Sequence, residues 1–214
     1  MNSDALLIVD VQNDFLPGGA LPVPNGNEVI PVANRLQRLF SLVVATQDWH
    51  PPDHKSFAAN WPEHQVGEVV KLAGLEQILW PVHCVQNTPG AELAADLDKT
   101  RIERTIRKGT QPDIDSYSGF FDNGHRNDTG LHQYLQQHHV ERLYVVGLAT
   151  DYCVKFTVLD ALELGYETYL IEDGCRGVDL QPGDVQQAVD HMKRAGAHVV
   201  ASAAVAQSIA GTRS

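Results

Sequence analysis

Asp10, Asp48, His50, Lys108 and Cys153 are the side chains best suited to chemistry, and each falls at or just past the end of an apolar run. Cys153 follows Leu143-Tyr144-Val145-Val146-Gly147 and opens an amphipathic stretch from Val154 to Leu164. A thiol there meets the unpaired N–H groups and positive dipole end of a helix, which favours thiolate over thiol and suits a nucleophile. A small residue packing helix on sheet would suit the position equally, and this stretch does not separate the two. A cysteine nucleophile needs a base or a cation beside it. Asp10 closes a wholly apolar run and is costly to bury unless it is paired or working. Lys108 can hold Asp10 ionised and add positive potential near the thiol. Taken singly, Asp10 also reads as a turn cap with Asn13, and Lys108 as a solvated cation. Their coincidence with Cys153 at one strand edge makes a site the better reading.

A second constellation is Asp48-x-His50, with His54, His64 and His83 further along. The D-x-H spacing puts a carboxylate and an imidazole on the same side of an extended segment. That donor set suits Zn, Fe or Mn. The chain has 10 histidines, enough for chance clusters, and His132, His138 and His139 read as exposed helix-end residues. Spacing alone leaves a divalent metal site and a chance cluster equally open.

The elements that must position these residues alternate. Strands are expected at Ala5 to Val11, Leu42 to Thr46, Ile102 to Lys108, Leu143 to Gly147, Thr168 to Glu172 and His198 to Ala201. Helices are expected at Glu28 to Phe40, Thr129 to His138, Val154 to Leu164 and Gly183 to Ala195. From Pro51 to about Thr100 the alternation breaks, with at most one short helix from Ala91 to Leu97. A segment that long covers or builds a site. The pattern predicts α/β architecture: one doubly wound, Rossmann-like, six-stranded parallel sheet with helices on both faces. Ligands bind such sheets at the carboxyl ends of the strands, the edge that carries all of the residues above.

At 214 residues, with no linker or repeat, the chain reads as a single domain over 1–214, with a metal-binding, lid-like insertion at about 51–100. A net charge of −11 argues against nucleic-acid and anionic-membrane partners. Three cysteines without regular spacing do not make a disulfide framework, and Cys84 and Cys175 read as structural. The polar start Met1-Asn2-Ser3-Asp4 and the short apolar run after it fit neither a signal peptide nor a membrane span, so a cytoplasmic location is expected. No G-x-G-x-x-G follows the first strand and no G-K-[ST] follows Gly18-Gly19, so no nucleotide cofactor is expected.

The blocks Ile8-Val9-Asp10-Val11-Gln12-Asn13-Asp14-Phe15, Arg107-Lys108-Gly109 and Gly147-Leu148-Ala149-Thr150-Asp151-Tyr152-Cys153-Val154 resemble those of the isochorismatase-like cysteine hydrolases. Asp48-Trp49-His50-Pro51 and Trp80-Pro81-Val82-His83-Cys84-Val85-Gln86 resemble the nicotinamidase (pyrazinamidase) branch of that family. The resemblance spans nearly the whole chain. It implies a catalytic set of Asp10, Lys108 and Cys153, an oxyanion hole at the N–H groups of Ala149 and Cys153, and metal ligands Asp48, His50 and His83. His54 matches a position that is a ligand in some members and not in others; His64 has no counterpart, and Tyr152 occupies a variable position. A cis peptide between Leu148 and Ala149 is also implied. Phe15, Trp80, Tyr117, Leu148 and Ala149 are expected around the substrate ring, the aromatics having plain core packing as their other reading.

The implied reaction is hydrolysis of nicotinamide to nicotinate and ammonia through a Cys153 thioester, with Asp10 as general acid and base, acceptance of pyrazinamide, and a place in NAD salvage. One alternative is a related amidohydrolase of N-carbamoyl or ureide substrates with the same triad, which lacks the Asp-x-His…His set. Another is a catalytically silent binding protein of the same fold, whose Cys153 would be inert to alkylation. No long apolar seam marks an oligomer interface, and family members differ in assembly, so monomer and homodimer both fit.

Overall fold

A computed structural model describes residues 3–211; Met1, Asn2 and residues 212–214, which belong to the expected polar start and to the expected chain-long domain, lie outside the described residues. The chain runs β1 (Asp4–Val9), α1 (Val29–Leu36), β2 (Leu42–Asp48), the strands β3 (Val69–Leu72) and β4 (Leu75–Ile78), β5 (Arg104–Lys108), α2 (Leu131–Gln137), β6 (Arg142–Leu148), α3 (Lys155–Glu163), β7 (Glu167–Arg176), α4 (Asp184–Arg194), β8 (His198–Val200) and α5 (Ser202–Gly211). Six of these strands form one parallel sheet in the order β5-β2-β1-β6-β7-β8. This is the doubly wound architecture expected from the alternation.

The central strands read as unbroken apolar runs because both faces of the sheet are covered. Leu6 and Ile8 of β1 and Tyr144 and Val146 of β6 enter a core shared with α1 and with Val205 of α5. Their alternate neighbours Ala5, Leu7, Val9, Leu143 and Val145 enter the opposite core, built on α2, α3 and α4. Fully burying one such Leu or Ile contributes about 1.5–3 kcal/mol, so both helical layers are held by the same strands.

The structure departs from the sequence reading in four places. No α-helix forms over residues 91–97; isolated 3-10 turns lie at Pro89–Ala91 and Lys99–Arg101. The backbone there is engaged elsewhere, with Ala94 N–H donating to the Val11 carbonyl and the Ala91 carbonyl accepting from the side chains of Gln12 and Gln47. Residues 69–78, read as loop, form an antiparallel hairpin. Its turn residues Ala73 and Gly74 have φ of 51° and 84°, as a two-residue hairpin turn requires. β7 runs past Glu172 through a register irregularity opposite Val145 and Gly147. A last helix, α5, follows β8, its Ser202 N–H and hydroxyl both donating to the Asp173 carboxylate.

Candidate active site

From β1 the sheet grows through β2 to β5 and resumes on the other side of β1 at β6. The carboxyl ends of β1 and β6 therefore flank the point where strand order reverses, the place where such folds bind ligands. Gly147 makes their close approach feasible: its φ is 125°, and a Cβ there would meet the Val9 carbonyl oxygen at 2.1 Å.

Asp10 is the first residue past β1, has a φ of 48°, and is wholly buried. It does not cap a turn with Asn13. The Thr46 hydroxyl on β2 donates to its Oδ1 at 2.6 Å, and Lys108 Nζ lies 2.9 Å from its Oδ2. Lys108 ends β5 directly in register with Asp48 at the end of β2, so its ammonium also meets Asp48 Oδ1 at 2.5 Å, the Ser116 carbonyl at 2.8 Å and Cys153 Sγ at 3.4 Å. Lys108 is thus a buried hub and not a solvated cation. Oxygens of Asp10 and Asp48 and the Cys153 sulfur lie within 4.8 Å of one another.

Cys153 does not open a regular α-helix. It lies in a π-turn, Thr150–Val154, in which the Ala149 carbonyl accepts from the Tyr152 and Val154 N–H groups before α3 begins. Single π-turns are rare and frequent at functional sites. The expected thiolate is also corrected. Burial pushes the Cys153 thiol well up, Asp10 and Asp48 add to that, and Lys108 opposes without overcoming it. Burial likewise raises Asp10 despite Lys108. Lys108 itself is held above the ordinary lysine range, because Asp10 and Asp48 outweigh its own desolvation. The resting site accordingly favours a neutral thiol beside a carboxyl raised above the ordinary range.

Asp48, His50 and His83 are buried, with one donor atom from each within 4.8 Å of the others. The Gly109 carbonyl lies 2.8 Å from His50 Nδ1 and the Pro81 carbonyl 2.7 Å from His83 Nδ1. A carbonyl only accepts, so each ring carries a proton on Nδ1 and turns Nε2 inward, the orientation that second-shell bonding gives metal-ligating imidazoles. Gly109 fits here because a Cβ would meet the His50 ring at 2.3 Å. Burial and the neighbouring His50 bring His83 down to about 4, which keeps it a neutral ligand. Asp48 is held well below the carboxylate range because Lys108 and His50 override its burial. These residues fit a divalent cation. His54 stands beside them; the Ser56 N–H donates to its Nδ1 at 3.2 Å, and among the described residues its buried Nε2 has no hydrogen-bond partner. One donor atom from each of His54, His50 and Asp115 also lies within 4.8 Å of the others. His64 lies apart, bonded to Glu68 at 2.7 Å.

These groups open on a narrow pocket walled by Phe15, Trp80, Tyr117, Ala149 and Tyr152. Leu148 was expected there; instead its side chain is fully buried in the α1-side core and does not line the pocket. The peptide between Leu148 and Ala149 is cis. Sequence reasoning missed several residues that hold the site. Gln12 clamps Asp48, accepting from its N–H and donating to its carbonyl, both at 2.8 Å. Phe57, fully buried, packs against His50, His54 and His83 at 5.4–5.5 Å. Asp115, buried on the pocket wall, lies within 4.8 Å of His50 and His54. Only Gln12 carried a signal, as a polar residue directly following the first apolar run.

Comparison with known proteins agrees with this geometry. The isochorismatase domain profile matches residues 4–204. The nicotinamidase of Escherichia coli is 52% identical over 199 residues, covering 90% of this chain and 92% of that protein. The structure of the yeast nicotinamidase bound to the inhibitor nicotinaldehyde superposes with a TM-score of 0.87 at 35% identity, covering 92% of this chain and 99% of that one. The pyrazinamidase of Pyrococcus horikoshii in complex with zinc superposes with a TM-score of 0.75 at 43% identity, covering 93% and 99%. The chain belongs to the isochorismatase family, and these relatives within it are nicotinamidases and pyrazinamidases.

Proposed function

We propose that this protein is a nicotinamidase, hydrolysing nicotinamide to nicotinate and ammonia. The observation that carries the reading is a pocket lined by Cys153 together with Asp48, His50 and His83, with Lys108 against the Cys153 sulfur and Asp10 paired to Lys108 behind it. Amidohydrolases of N-carbamoyl or ureide substrates with the same triad have no use for that second set.

Asp10 takes the proton of the Cys153 thiol, and Sγ attacks the carboxamide carbon. The oxyanion lies against the N–H groups of Ala149 and Cys153, each such donor contributing about 3–4 kcal/mol. Asp10 returns the proton to the departing ammonia, leaving a thioester. Asp10 then draws a proton from water, whose oxygen attacks the thioester to release nicotinate and restore the thiol. Lys108 keeps the Asp10 carboxylate available inside a site that otherwise favours its neutral form. Asp48, His50 and His83 would hold a divalent ion, Zn, Fe or Mn, which when bound offers the pyridine nitrogen an open coordination position. Phe15, Trp80 and Tyr117 flank the ring. The whole chain acts as one domain, residues 51–100 contributing Trp80 and His83 to the pocket. Pyrazinamide is a second substrate, and the product feeds NAD salvage. Among the described residues no helix is long and apolar enough to cross a membrane, and three free buried cysteines accord with a cytoplasmic location.

The test is ammonia release from nicotinamide and pyrazinamide by the purified protein, with metal analysis. Chelation, or Asp48→Ala or His50→Ala, is expected to strip the ion and raise KM more than it lowers kcat. A metal-free protein whose activity ignores chelators would refute the positioning role.

The Asp10 environment sets the pH dependence. Its carboxyl is raised, so as pH falls the base is protonated and lost earlier than for an ordinary aspartate near ~4. The acid limb of kcat/KM is expected above that value. Thr46→Val deletes the hydrogen bond that stabilises the carboxylate and should move the limb higher still. A limb at or below the ordinary value, unmoved by Thr46→Val, would exclude Asp10 as the base.

A further inference from the structure

The narrow inner pocket leaves about 30 Å³ of free room, whereas a cavity of about 620 Å³ lies immediately outside it. Tyr117 and Tyr152 border both spaces. They form the partition, their rings edge to face at 5.6 Å, with Trp80 against Tyr152 at 4.9 Å.

The two halves of the partition are held differently. The Tyr117 hydroxyl accepts from Gln77 Nε2 on β4 and from Trp80 Nε1, each at 3.1 Å. Gln77 also donates to Asp115 at 3.0 Å. Tyr117 is therefore tethered. Tyr152 is half-buried, and among the described residues no partner hydrogen-bonds its hydroxyl, so ring contacts and apolar packing hold it. The outer cavity runs between the β3–β4 hairpin and helices α3 and α4. Its walls include Val69 and Phe156, two large apolar side chains that remain 59% and 37% exposed, an arrangement typical of a binding groove. The carboxylates of Glu76, Asp184 and Asp190 outnumber the cations of Lys155 and Arg194 on those walls.

We propose that this cavity is an outer subsite of the same active site, that it accepts neutral or basic substituents carried on an aromatic carboxamide, and that Tyr152 is the specificity-determining residue closing it off. The proposal rests on the nicotinamidase reading. Tyr152 touches the substrate ring on one side and the substituent space on the other, so trimming it joins the two volumes. An anionic substituent gains nothing from walls on which carboxylates predominate.

The test compares kcat/KM for nicotinamide with that for nicotinamides bearing, at C5 or C6, an aminoalkyl group, its N-acetyl counterpart or a carboxyalkyl group. In Tyr152→Ala the ratio for the aminoalkyl and acetylated substrates over nicotinamide should rise at least about tenfold, in the range one pocket contact controls. Tyr152→Phe, which keeps the ring, should leave the ratio as in the wild type. The carboxyalkyl substrate should gain least, and Asp184→Asn with Asp190→Asn in the Tyr152→Ala background should narrow that difference. Tyr152→Leu replaces the alanine variant if the latter does not fold. Ratios unchanged in the trimmed variant, with nicotinamide still turned over, would overturn the outer subsite alone. Wild-type protein that releases no ammonia from nicotinamide would overturn the reading beneath it.

Discussion

Cys153→Ala is expected to lower ammonia release from nicotinamide by about 10⁴-fold or more, the loss usual when a covalent nucleophile is removed from an intact site. The fold should survive the change, because the side chain is small and borders a pocket that is already open on one side. Binding of nicotinate, read by calorimetry, should persist within a few-fold, since the ring walls and the Asp48, His50 and His83 set remain. Cys153→Ser is the more searching variant. A hydroxyl in place of the thiol keeps the volume but is a far harder group for Asp10 to deprotonate, so its residual rate should stay near that of alanine. Turnover within tenfold of the wild type in either variant would remove the thioester from the mechanism.

Lys108→Met should damage both stability and activity. The ammonium lies between the Asp10 and Asp48 carboxylates in the buried site. Methionine preserves the stem but leaves two facing carboxylates with no counter-charge. Breaking a buried pair in this way costs about 3–5 kcal/mol, or roughly 10 °C in Tm for a chain of this size. The remaining repulsion is relieved when one carboxyl takes a proton. Asp10, already raised by burial, is the one that will, and a protonated Asp10 cannot accept the thiol proton. Activity should therefore fall with Tm. Adding Asp10→Asn to Lys108→Met should recover much of the lost stability and none of the activity, because the two residues share one electrostatic unit. Additive stability losses in the double variant would show that Lys108 acts without Asp10.

Asp10, Lys108 and Cys153 were legible because each ends or follows an apolar strand, and strand ends of a doubly wound sheet share one edge. Asp48 and His50 were legible for the same reason. The degree of protonation was not. A helix start argues for thiolate, yet Cys153 is buried between carboxylates, and desolvation outweighs a dipole that acts only over one turn. Thr46, Phe57 and Asp115 were invisible because each touches the site through a contact distant in sequence, and nothing in their own neighbourhood marks it. Leu148 sits within the site motif, yet two residues past Val146 along β6 it shares that residue's face and enters the α1-side core. The β3–β4 hairpin did carry a signal, an alternating run around Ala73-Gly74, hidden by the irregular segment on either side.

The pairing of Asp48 with Lys108 across β2 and β5 also limits which changes in chain length this protein can absorb. Successive strand residues face opposite sides of a sheet, so one residue added within β2 before Thr46 turns both Thr46 and Asp48 toward the wrong layer. Asp10 would lose its hydroxyl donor and Lys108 one of its anions in a single event, although no residue had been substituted. The same addition at the Ala73-Gly74 tip would leave every ladder in phase. Insertions and deletions among descendants of this gene should accordingly gather at that tip and in the loop before α4, while β2 and β5 keep their lengths through wide divergence in sequence.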